Sequence, residues 1–259
     1  MLAAQRTVKQ LVALIIFLIV LGGVSFGVYM VAQPSVPTPT PTQSPDVLPL
    51  EIIMSKIFNI ENNDYDFLAR VRNPNQSHGS PAVNYELKFF DAAGQVIFTK
   101  IGSFYILPGQ TEYVADLPIR LERPAVRHEF NIKNIDWVKL DQFTLTDLDL
   151  IAGEIDYSEP TGQPFFARVA GAITNDSDFD LNRVDSVIVI TGQSGEPIAV
   201  NKTSINTFLA RTKRGFEVRW TRPFVGNYIS SEVEVHTNIF DNLNYIRRFG
   251  EQERFQQFY

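Results

Sequence analysis

The chain has 259 residues, a formal net charge of −6, three histidines and no cysteine. The absence of cysteine excludes disulfides, thiolate metal sites and a cysteine nucleophile. From Asp46 onward 21 basic residues face 29 acidic ones, a balance that disfavours nucleic acid, because phosphate binding needs a basic surface that releases counterions.

Residues 1 to 10 hold Arg6 and Lys9, and from Leu11 to Ala32 the chain runs LVALIIFLIVLGGVSFGVYMVA without a charge. At a rise of 1.5 Å per residue that run spans about 30 Å of hydrocarbon, enough for one transmembrane helix in contact with membrane lipid. The basic residues precede it, so the positive-inside rule puts a cytoplasmic stub at the N-terminus and the rest of the protein outside. A cleaved signal peptide is the alternative, with Ser25-Phe26-Gly27 as a small-x-small site. Residues 33 to 49 alternate proline with threonine and serine, which favours an extended spacer of about 3.1 Å per residue.

Beyond Leu50 the apolar period is two, with turn residues about every ten positions, so an all-β ectodomain is expected. Val83, Tyr85, Leu87 and Phe89 share one strand face, with Asn84, Glu86 and Lys88 on the other. Phe67, Ala69 and Val71, then Tyr113, Ala115 and Leu117, then Phe216, Val218 and Trp220 repeat the pattern. Segments 67–75, 89–100, 107–114 and 128–132 correspond in order to 166–176, 190–202, 209–218 and 232–239. That order predicts tandem copies of one domain, over 50–140 and 141–241. Gly94 and Gly195 are expected in hairpin turns that need positive φ.

The run Leu87-Lys88-Phe89-Phe90-Asp91 with Gly94, followed by Leu107-Pro108-Gly109, resembles the FxLYD-type immunoglobulin-like domains found on the outer face of bacterial membrane proteins. The second copy departs from that signature, with Ile188-Val189-Ile190-Thr191-Gly192 in its place. The resemblance implies two tandem immunoglobulin-like β-sandwiches after the membrane helix, and it brings no catalytic residues.

With His78, His128 and His236 as the only histidines and no nucleophile elbow, Walker loop or HExxH motif, the residues predict no enzyme. Asp176, Asp178 and Asp180 stand at alternate positions like the opening of a calcium-binding loop. Leu181 replaces the loop's glycine and Val187 its glutamate, so only a looser calcium site is expected there, which Asp147 and Asp149 could complete. Trp137, Trp220, Phe89 and Phe104 are expected in cores. The tail 242–259 mixes Arg247, Arg248 and Arg254 with aromatic residues, as a frayed end or a docking segment does. These features point to a binding or structural module of the cell envelope with an envelope or membrane protein as partner. The alternative is an accessory single-pass subunit of a transport, secretion or pilus-type complex.

Overall fold

The computed structural model describes residues 47–140 and 148–241. The expected stub, the helix from Leu11 to Ala32, nearly all of the spacer and the tail 242–259 lie outside the described residues. Among the described residues there are thirteen strands and no helix.

The first seven strands are β1 (Glu51–Glu61), β2 (Asp64–Arg72), β3 (His78–Phe90), β4 (Val96–Ile106), β5 (Thr111–Arg120), β6 (Arg127–Ile135) and β7 (Val138–Lys139). They form one antiparallel sheet in the order β1-β2-β5 and a second in the order β4-β3-β6, with β7 added to β3. The remaining strands are β8 (Leu150–Ser158), β9 (Ala167–Asn175), β10 (Leu181–Thr191), β11 (Pro197–Phe208), β12 (Thr212–Trp220) and β13 (Ser230–His236). Their sheets run β8-β9-β12 and β11-β10-β13, so each strand from β8 has a counterpart seven places earlier. The ordered matches between the two halves of the sequence follow this shared connectivity.

Period-two patterning accounts for each core. Val83, Leu87 and Phe89 from β3 are wholly buried against Phe67, Ala69 and Val71 from β2, with Phe130 closing the first core. Ile188 and Ile190 from β10 meet Val169 and Ile173 from β9, with Phe208 and Trp220, in the second. Phe104 packs partly buried on the first core. Trp137, expected inside, is only half-buried, because it sits between β6 and the two-residue β7 at the sheet margin.

The β3–β4 and β10–β11 hairpins turn alike. Gly94 (φ 77°) and Gly195 (φ 76°) take the left-handed conformation, which costs a residue without Cβ little. Asp91 N donates to Gln95 O at 3.0 Å, and Gly192 N donates to Glu196 O at the same distance. In the first turn the Asp91 carboxylate also accepts Ala93 N and Gln95 N at 3.0 and 2.9 Å, an Asx-type brace. Gly192 has no side chain to supply it.

A second shared device is a buried asparagine after β2 and at the end of β9. Asn73 Nδ2 donates to His78 O and Leu107 O at 2.7 and 2.8 Å, while its Oδ1 accepts Asn75 N at 3.0 Å. Asn175 Nδ2 donates to Phe179 O, Phe208 O and Leu209 O, and its Oδ1 accepts Ser177 N. Each amide thus ties one sheet to the strand end of the other, satisfying carbonyls that burial cuts off from water.

A third apolar cluster lies between the two sandwiches. Phe58 and Leu68 from the outer face of the β1-β2-β5 sheet and Tyr113 from β5 pack with Val187 and Val189 of β10 and Val200 of β11. The four sheets therefore stack in layers, and 47–241 belongs to one compact unit. Replacing Asn73 or Asn175 by alanine orphans several buried carbonyls and should cost about 2–3 kcal/mol each. Urea unfolding of each variant measures this, and a loss below about 0.5 kcal/mol would show the amides to be dispensable.

Candidate functional site

The three aspartates expected to hold calcium sit in the β9–β10 turn, at one end of the second sandwich. Arg211, held at φ 57° in the β11–β12 turn, reaches two of them. Its guanidinium contacts Asp176 Oδ1 and Asp178 Oδ1, each at 2.7 Å, and those contacts hold its pKa above the ordinary arginine value. Asp180 Oδ1 accepts Ala210 N at 2.8 Å, and Asp149 meets the turn through its backbone carbonyl, which accepts Asp176 N. Asp147 lies outside the described residues. Among the described residues no three histidine, aspartate or glutamate side chains converge to hold an ion. Two of the three carboxylates, Asp176 and Asp178, are thus paired with a cation from the chain itself.

Chemistry concentrates instead where the sandwiches meet. The outward face of β13 carries Glu232, Glu234 and His236, whose intervening neighbours Val233 and Val235 pack on the second core. Tyr113 N donates to Glu234 Oε1 at 2.6 Å and Tyr113 Oη to Glu232 Oε2 at 3.0 Å. Arg70 approaches Glu232 at 3.5 Å and lies 4.8 Å over the Tyr113 ring. Burial is the main cause that lifts the Tyr113 phenol to about 12. Glu112 beside them is 3% exposed, and burial with the Glu234 charge pushes its carboxyl well above the usual range. Burial likewise raises the Tyr105 phenol, whose ring meets His236 edge-on at 5.7 Å. Glu112 Oε2, Tyr105 Oη and His236 Nδ1 are buried without a hydrogen-bond partner among the described residues.

Around the apolar contact the junction opens into a cleft of about 650 Å³, lined by β1, β2 and the β5 segment Leu117–Pro118 on one side and by β11 and residues 219–225 on the other. Phe58, Val200, Trp220 and Phe224 give it apolar walls. Val225 on its margin is 91% exposed. Most charges around it are paired: Lys56 with Glu196 at 3.4 Å, Arg222 with Glu61 at 2.8 Å, Arg219 with Glu217, and Asp64 with Arg120 at 2.9 Å.

Asp66 differs. It projects from β2 into this cleft, is 7% exposed and has no ion pair or hydrogen bond among the described residues. Desolvation is the main cause that pushes its carboxyl to about 7; the Asp64 charge adds to this, and Lys202 opposes it.

The histidines do not gather. His78 contacts Ser77 at 3.1 Å, His128 Nε2 lies 3.0 Å from Ser55 Oγ against the Phe67 ring, and His236 stands at the junction. Burial and the Arg127 charge lower the His128 pKa. His236 lies on the outward face of β13, where Tyr105 of the first sandwich packs against it.

Neither a protein-family model nor a curated protein matches the chain. Among solved structures, the crystal structure of red sea bream transglutaminase is similar at 9% identity and a TM-score of 0.22, over 74% of this chain and 29% of that one. The chain thus spans under a third of that protein, and so loose a likeness carries no argument about activity.

The folded pKa of Asp66 lies above its unfolded value, so the stability it contributes is present below about pH 4 and lost as pH rises through about 7. Asp66→Asn, which keeps shape and removes the charge, should match the wild type at pH 4 and exceed it by about 2 kcal/mol at pH 8. Chemical denaturation at the two pH values measures this, and equal stability at pH 8 would show that the carboxylate is solvated.

Proposed function

We propose that this protein is a non-catalytic, membrane-anchored module of the cell envelope, its helix from Leu11 to Ala32 in the bilayer and its β-sandwiches outside, where they bind an envelope or membrane protein partner. On this reading the sandwiches are immunoglobulin-like, as the FxLYD-type run from Leu87 to Asp91 implies. The uncharged run after Arg6 and Lys9 supports the anchor and its orientation. The proline-rich segment sets the reach of the module from the bilayer.

One observation carries the binding role. The sandwiches pack by their sheet faces, so they present a single body whose junction holds a preformed cleft with apolar walls and a carboxylate lacking a partner. Preformed concave sites with a few polar groups are how proteins take ligands and side chains. Confinement beside a membrane raises the effective concentration of such a site, so modest contacts suffice.

Protease added to intact cells should cut the spacer and release one folded fragment carrying both sandwiches. Protection until the membrane is opened would contradict the orientation. Replacing residues 11–32 with an unrelated membrane helix should leave partner binding unchanged, whereas its loss would favour an accessory subunit whose helix pairs within a larger complex.

A further inference from the structure

We propose that the cleft between the sandwiches binds an organic ammonium group, with Asp66 as its counter-ion and the aromatic and aliphatic walls holding the attached carbon chain. This rests on reading the cleft as the binding site, and it names the chemistry of what enters.

Charge complementarity selects the ligand. A carboxylate withdrawn from water is costly unless it is paired, and Asp66 is more than nine-tenths buried with no pair. The charges that face it leave that demand unmet. On β1, Lys56 and Glu61 are bound to Glu196 and Arg222. On its own strand, Asp64 is held by Arg120 and repels it. From the second sandwich, Arg219 is turned to Glu217, and Lys202 gives its ammonium to Ala115 O at 3.3 Å. An anionic ligand would meet Asp66 unfavourably, and Lys56, Arg222 and Arg219 are already paired with carboxylates.

A divalent metal is also a poor fit. It requires several oxygen ligands, and among the described residues no three metal-binding side chains converge. A single carboxylate in a cleft also lined by Phe58, Trp220 and Phe224 suits a monovalent organic cation, whose charge the carboxylate pairs while the aromatic walls take its carbon chain. The volume of about 650 Å³ admits a carbon chain beyond the head group.

The ammonium has two sources, a free amine or a lysine side chain presented by a partner. The probes are n-butylammonium and Nα-acetyl-lysine methylamide, with n-butanol as the uncharged control, titrated by NMR into the full-length protein in nanodiscs. At pH 8 the ammonium probes should bind at least about tenfold more tightly than butanol. Because ligand and proton compete for the carboxylate, that advantage should fall about tenfold per unit as pH drops below about 7.

Asp66→Asn should abolish the advantage while butanol binds as before. The pH series on the wild type tests the same point without a variant. Binding of either ammonium probe with this pattern supports the proposal and identifies the source. Equal binding of butylammonium and butanol would overturn it while leaving the cleft as a site, and no binding by any probe would overturn both.

Discussion

The molecule depends on the burial of two sheet faces against each other. In a lone sandwich the outer side of β2 would face water, yet Leu68 is wholly buried there, and Val189 of β10 is equally buried from the opposite side. Removing such side chains from water contributes about 1.5–3 kcal/mol each. Without cysteine, this packing does for the two small domains what covalent staples do in many extracellular proteins. It also fixes the cleft, because β2 and β11 can form its two walls only while the faces stay joined.

Polar groups complete the junction on terms set by its low dielectric. Glu232 and Glu234 reach across from β13 and accept hydrogen bonds from Tyr113, which satisfies both and fixes the register of one sandwich on the other. Glu112 has no such donor for its Oε2 atom, so burial drives it toward the protonated form. Asp66 is under the same pressure at the opposite side of the apolar contact. Asp66 opens onto the cleft of about 650 Å³, whereas Glu112 lines a smaller one of about 440 Å³.

Much of the fold was legible in the sequence. Alternation marked β3 and β2 because each turns one face to a core. The ordered segments match because the two halves share one strand order, with hairpin glycines at 94 and 195 and a buried asparagine near the end of β2 and of β9. The stacking was less visible, although its signature was present. Phe67-Leu68-Ala69 and Val187-Ile188-Val189-Ile190 are continuous apolar runs, the pattern of strands covered on both sides. Tyr113, Ala115 and Leu117 read as a core face, but they turn toward the second sandwich and leave Val114 to the first core.

The site was legible least of all. The spacing of aspartates at 176, 178 and 180 shows charge in the sequence but not Arg211, which pairs with two of them from 35 and 33 residues away. An aspartate among Tyr65, Phe67 and Leu68 belongs to no motif. Only the tertiary arrangement reveals that it is buried and unpaired. The most direct test of the joined faces uses the two tryptophans, Trp137 beside the first sandwich and Trp220 in the second core. Urea unfolding of full-length Trp137→Phe and Trp220→Phe, each followed by its remaining fluorophore, should give one shared midpoint. Two separate midpoints would mean that the sandwiches unfold independently and that the packed junction does not hold them together.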